Sequence, residues 1–133
     1  MKQIIDLLMR VLYGHVTSGR GDFAQWIDKY RIDYHRVTGL KLYPGTLNLK
    51  LDAAYSVPGN SLRLDPKDYG GIVGVYFVPC RIFDRDAFVL RTDANARGEG
   101  DHPLEVIEIA TDIKLRDAFN LVDGDRVRVE FPA

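Results

Sequence analysis

The sequence predicts a mostly β fold, a small closed β-barrel with one longer and one short helix. Three observations lead there. Runs of strand-forming residues such as Val11–Ser18, Thr46–Leu51, Ile72–Phe83, Glu105–Ala110 and Arg126–Phe131 recur at strand length between turn signals. Only Phe23–Val37 carries apolar residues at three- and four-residue spacing over a length that makes a substantial helix. A chain of 133 residues suits one domain over 1–133 with a single core, and closing its sheet removes the exposed edges.

The first strand, Val11–Ser18, ends in Ser18-Gly19-Arg20-Gly21-Asp22. Two glycines flanking an arginine let backbone N–H groups approach a phosphate, and Arg20 adds charge and a forked donor. A tight turn with a solvated arginine has the same pattern. The loop lacks the Lys-Ser/Thr ending of a Walker loop and does not match the dinucleotide fingerprint. Asp22 stands where a helix cap belongs. Beyond it Phe23, Trp26, Ile27, Tyr30, Tyr34 and Val37 form one apolar stripe as far as Gly39, read as a single amphipathic helix whose aromatic face is core.

In Leu42–Leu51, Pro44-Gly45 reads as a β-turn with positive φ at Gly45, followed by a strand. Alternation puts Leu47, Leu49 and Leu51 on one face and Thr46, Asn48 and Lys50 on the other. The Thr46 hydroxyl and Asn48 amide oxygen then stand about 7 Å apart along the strand. Neutral oxygen ligands of this kind suit Mg²⁺ that keeps waters and draws its negative ligands from substrate phosphates. An ordinary strand with a wet polar face fits the spacing as well.

Asp52–Gly71 reads as loops around a short Leu62–Leu64 strand. Ile72–Phe83 is the longest strand signal, and Pro79 within it marks an edge or a bend. Cys80 reads as a small buried hydrophobe. Ala87–Leu90 is another strand. Arg91–Pro103 is a polar, glycine-containing loop, either a substrate lid or disordered, in which Arg97 is a phosphate contact or a solvated charge. After Glu105–Ala110, Thr111 or Asp112 caps a short helix through Phe119. Lys114 and Arg116 in its first turn oppose the helix dipole, which invites an anionic ligand, although solvated charges would look the same. Val122-Asp123-Gly124-Asp125 turns the chain into a last half-buried strand.

The balance of 18 basic and 19 acidic side chains gives no general attraction to nucleic acid or to an anionic membrane. One cysteine excludes an intramolecular disulfide, and a cytoplasmic protein is expected. Met1–Tyr13 is interrupted by Asp6 and Arg10 and reads as neither signal peptide nor membrane span; it is too short for a helix-turn-helix. No Ser/His/Asp set or Cys/His cluster has recognisable context, and His15, His35 and His102 are scattered.

Ser18-Gly19-Arg20-Gly21-Asp22, Tyr43–Leu51, Glu105–Ala110 and Lys114-Leu115-Arg116 through Asp123-Gly124-Asp125 stand in an order and spacing that resemble the archaeal CTP-dependent riboflavin kinase family, over roughly Gly14 to Phe131. The Pro-Gly-Thr-Leu-Asn core is the specific part. The resemblance implies a cradle-loop barrel that transfers the γ-phosphoryl group of CTP to the riboflavin 5′-hydroxyl; a monomer acting on small molecules is expected. By position it implies that Thr46 and Asn48 hold Mg²⁺, and that Arg20, Gly21, Asp22, Phe23, Ala24 and Gln25 cover the nucleotide phosphates. It further implies that Ile113, Lys114, Leu115 and Arg116 contact the nucleotide and that Glu108 and Thr92 meet the flavin. No general base follows from it, Glu108 being the one candidate.

The chain departs from the family pattern at two places. Asp22 and Phe23 replace the Glu and third Gly of the glycine loop, and Arg91 replaces a Pro ahead of an inserted Arg97-Gly98-Glu99-Gly100. These leave room for a non-catalytic nucleotide- or flavin-binding barrel, or for a related kinase with another acceptor or donor.

Overall fold

A computed structural model of the chain describes residues 9–19, 22–99 and 102–132. Among the described residues, seven strands form one sheet: β1 (Met9–Thr17), β2 (Leu47–Lys50), β3 (Leu62–Leu64), β4 (Val75–Ile82), β5 (Arg85–Thr92), β6 (Val106–Ala110) and β7 (Arg126–Pro132). Their order is β3-β4-β5-β6-β2-β1-β7, all neighbours are antiparallel, and β7 returns to β4 where Arg81 faces Glu130. Six strands thus close a barrel and β3 extends it. The expected mostly β barrel is the observed fold.

Alternation along each strand separates two apolar layers. The barrel interior takes residues from all six closing strands, among them Val16, Leu49, Val78, Val89, Ile107 and Val129, each at most 5% exposed. The opposite face of β4, β5 and β6 presents Val75, Phe77, Phe88, Leu90 and Ala110 to a helical layer containing Phe23, Ile27 and Tyr34. Strand β5 is consequently buried on both faces, and its run Ala87–Arg91 reads as nearly continuous burial.

The helical layer corrects one expectation. Instead of one long helix there are two, α1 (Asp22–Lys29) and α2 (Arg31–Thr38), separated at Tyr30, whose φ of −108° and ψ of 35° leave the helical range. The bend lets Phe23, Ile27 and Tyr34 all reach the curved barrel wall, where each is at most 3% exposed. Gly39 ends α2 with φ of 74° and donates its N–H to the His35 carbonyl at 2.8 Å, the left-handed cap that glycine serves best. Three further one-turn helices, α3 (Pro66–Tyr69), α4 (Asp93–Ala96) and α5 (Leu115–Ala118), punctuate the loops.

Other local readings shift as well. Pro44-Gly45 is a tighter turn than expected: the Gly45 N–H donates to the Tyr43 carbonyl at 2.8 Å across Pro44, and Gly45 is not among the residues with positive φ. Neither Thr111 nor Asp112 caps a helix. The Thr111 hydroxyl donates to the Asp86 carbonyl at 2.7 Å, Asp112 pairs with Arg85 at 2.6 Å, and α5 starts after Lys114. The polar stretch from Arg91 begins inside β5 and continues as α4, so it is shorter as a loop than its composition implies.

Pro79 sits in β4 between the residues that face β3 and the one that faces β7, where a missing N–H costs little. Cys80 is 3% exposed in the barrel core, and burial pushes its thiol up to about 12. No helix among the described residues is long and apolar enough to cross a membrane.

Candidate functional site

The site lies on the outer face of β2 and β6, beside the end of β1. Leucines at 47, 49 and 51 point into the barrel, and the strand period therefore turns Thr46 and Asn48 outward. Asn48 stands opposite Thr17 of β1 and Glu108 of β6. It is 7% exposed, and its Oδ1 is buried without a hydrogen-bond partner among the described residues. A buried amide oxygen left unpaired costs free energy unless a ligand completes it.

Thr46 Oγ1 donates to Glu108 Oε1 at 2.8 Å. Glu108 is 8% exposed, and burial pushes its carboxyl above the usual carboxylate range. The Thr46 hydrogen bond and the charges of His102 and Arg91 pull it back, while Asp22 adds to the rise.

Gly19 approaches Asn48 so closely that a Cβ there would lie 2.1 Å from Asn48 Nδ2. Only glycine lets the loop backbone pass over the amide. Ser18 Oγ donates to Asp123 Oδ2 at 2.8 Å, and the other oxygen of that carboxylate accepts from Arg116 Nη2 at 2.5 Å. Arg116 Nη2 also reaches the Thr17 carbonyl at 3.3 Å. One carboxylate thus ties the end of β1 to the start of α5.

Two concavities meet at the Thr46–Glu108 pair. On one side a groove lined by Ser18, Gly19, Ala24, Thr46, Asn48 and Arg116 adjoins a cavity of about 210 Å³ bounded by Tyr43–Leu47, Ile109 and Ile113–Arg116. On the other a cavity of about 180 Å³ is lined by the polar Asp22, Thr92, Asn95, His102 and Glu108 and the apolar Phe23, Trp26 and Val73. Arg91 borders it as framework. It is 2% exposed and donates to the carbonyls of Tyr55, Leu104 and Val106 at 2.5, 3.0 and 2.9 Å.

Thr46, Asn48 and Arg116 line one groove, Glu108 joins them through Thr46, and Ile113, Lys114 and Leu115 line the first cavity with Arg116. Ala24 borders the groove, but Asp22 and Phe23 face the second cavity. Gln25 is exposed and lines neither. Arg20 and Gly21 lie outside the described residues. Thr92 shares the second cavity with Glu108, and its hydroxyl caps α4 by accepting from the Asn95 N–H at 3.1 Å. Arg97 does not reach the site: it pairs with Glu99 at 2.9 Å on an exposed surface.

Sequence reasoning missed Tyr43, Trp26, Asn95, His102 and Asp123. Trp26 was hidden in a stripe that is otherwise core, and His102 in a polar loop without a partner at motif spacing. The aspartate of a turn gives no sign in sequence of the two donors that converge on it.

The Thr46 hydroxyl and the unpartnered Asn48 amide oxygen are hard, oxygen-only donors, which suit Mg²⁺ better than a softer ion. Basic side chains and backbone N–H groups around the adjoining groove suit a polyphosphate.

The family model for CTP-dependent riboflavin kinases, described as domain of unknown function DUF120, matches residues 16–131. A riboflavin kinase of Pyrobaculum aerophilum is 36% identical over 90% of this chain and 59% of its own length. A riboflavin kinase of Thermococcus kodakarensis is 31% identical over 90% of this chain and 58% of its own. A riboflavin kinase of Aeropyrum pernix is 32% identical over 89% of this chain and 92% of its own. The chain spans about three fifths of the first two relatives and nearly all of the third. With the match covering 16–131, the chain belongs to the CTP-dependent riboflavin kinase family.

Proposed function

We propose that the protein transfers the γ-phosphoryl group of CTP to the 5′-hydroxyl of riboflavin, giving FMN and CDP. The observation that carries this reading is the Thr46–Glu108 hydrogen bond of 2.8 Å, which joins a phosphate-suited groove to a ring-sized cavity. Donor and acceptor would meet where the two concavities meet.

Phosphoryl transfer asks a protein for positioning and charge neutralisation more than for covalent help. Arg116, Lys114 and the backbone around Gly19 bind and orient the donor phosphates from the groove. Thr46 and Asn48 would hold Mg²⁺, which when bound neutralises charge on the donor phosphates. Glu108 accepts the proton of the acceptor hydroxyl on one carboxylate oxygen while Thr46 orients the other. Its burial-raised affinity for a proton brings it nearer the range in which a base works at neutral pH.

The test is an assay of purified protein with riboflavin and Mg²⁺ and with CTP, ATP, GTP or UTP in parallel, scoring FMN by chromatography. FMN from CTP alone is expected. Folded protein that yields no FMN from any donor would overturn the reading in favour of a ligand-binding barrel.

A further inference from the structure

The cavity beside Glu108 has a mixed lining. Thr92 of β5, Asn95 of α4 and Glu108 of β6 supply polar groups, whereas α1 supplies the rings of Phe23 and Trp26 beside the Asp22 carboxylate. Phe23 is 3% exposed and belongs to the layer packed on the barrel, but Trp26 is only partly buried. The two rings meet edge to face, centroids 5.3 Å apart and planes at 84°, so a buried phenyl group fixes the attitude of an indole that borders open space. A cavity that combines a preset aromatic ring with several polar groups fits a planar heteroaromatic whose face stacks while its edge makes hydrogen bonds.

We propose that Trp26 is the stacking platform for the ring of the acceptor and thereby a specificity-determining residue, selecting ring-bearing alcohols over the bare sugar alcohol. This rests on the reading of the cavity as the acceptor site. The chain places its ring contacts on the helix that follows the glycine loop: Ala24 of α1 borders the phosphate groove, and Trp26, half a turn further on, borders the acceptor cavity. Phe23, at a position that the family pattern fills with glycine, serves as the brace of the platform.

Trp26 is the only tryptophan of the chain, which makes the test direct. Indole in contact with a flavin ring quenches flavin emission by electron transfer, so riboflavin fluorescence, excited where the protein does not absorb, reports the contact. Riboflavin and lumiflavin, which keeps the ring and lacks the ribityl hydroxyls, are titrated against wild type, Trp26→Phe and Trp26→Leu, with ribitol as competitor. Both flavins bind and dim on wild type, emission recovers on the Leu variant, and ribitol competes with neither.

In the kinetic arm Trp26→Leu raises KM for riboflavin about 5- to 150-fold, the range for loss of one aromatic stacking partner. Its kcat and the KM for nucleotide change little, and Trp26→Phe recovers most of the loss. A general packing defect would instead lower kcat and nucleotide binding together, with no rescue by Phe. Wild type that makes FMN while bound riboflavin has the same emission lifetime as on the Leu variant overturns the platform and leaves the kinase reading intact. Dimming without FMN keeps the platform and removes the kinase. If the Leu variant fails to fold, the wild-type and Phe emission lifetimes and the Phe KM decide.

Discussion

Thr46 Oγ1 donates to Glu108 Oε1 at 2.8 Å across the β2–β6 pair, although 62 residues separate them in the chain. The hydroxyl that would face a metal is thus held by the carboxylate that would face the acceptor. Neither side chain can move without disturbing the other. The bond also fixes which Glu108 oxygen stays available on the side of the second cavity.

Asn48→Ala removes an amide whose buried Oδ1 has no protein partner among the described residues, so stability changes little. Mg²⁺ affinity falls by about 10- to 100-fold, the usual scale for a weakened metal shell. FMN formation followed against Mg²⁺ concentration shows the loss at low Mg²⁺ and recovery at high. Full turnover at low Mg²⁺ in this variant would contradict the assignment.

Glu108→Gln keeps an oxygen for the Thr46 hydroxyl and deletes the base. Turnover falls by about 10²- to 10⁴-fold, and the acidic limb of the pH–rate profile disappears. Stability moves the other way. Burial raises the folded carboxyl above its ordinary value of 4.5, so the native state binds the proton more tightly than the unfolded chain does. Wild type therefore loses stability as pH rises from the ordinary carboxylate range through the raised one, and Gln lacks this loss. Thermal melts at a series of pH values show the variant gaining on wild type as pH increases.

Gly19→Ala places a methyl where Asn48 Nδ2 lies 2.1 Å away. The short amide side chain must swing aside, so the cost falls on the site rather than on the fold. Nucleotide affinity in the presence of Mg²⁺ drops by about 10-fold or more while the melting temperature shifts by a few degrees. Isothermal titration with a non-hydrolysable CTP analogue measures the first and calorimetry the second.

Arg91→Met leaves three backbone carbonyls, those of Tyr55, Leu104 and Val106, without their buried donor. Each lost partner is expensive, and the variant is destabilised by about 2–4 kcal/mol in urea unfolding. The loss appears first as a loosened 102–106 segment, which hydrogen exchange reads. Any effect on FMN formation is confined to the riboflavin KM, because the same segment borders the acceptor cavity.

Much of the fold was legible because it depends on local period. The leucines at 47, 49 and 51 announce a strand with one buried face, and that parity alone turns Thr46 and Asn48 outward. The single break in Phe23–Val37 was not legible: Tyr30 is a helix-compatible residue, and only the curvature of the barrel beneath requires a bend there. The cap of the last helix was misread for a similar reason. Thr111 has the right chemistry for a cap but is claimed by the Asp86 carbonyl, a partner 25 residues away.

By itself the sequence determined the strand parities, the glycine loop after the first strand, the basic pair before the last turn and the family to which they belong. These follow from backbone geometry, side-chain period and short motifs, all properties of neighbouring residues. Only the tertiary structure decided that Glu108 meets Thr46, that Asp123 binds both Ser18 and Arg116, that Phe23 and Trp26 line the Glu108 cavity, and that Arg91 is framework. Each of those depends on which strands become neighbours when the barrel closes, and closure is a property of the whole sheet that no local stretch of residues encodes.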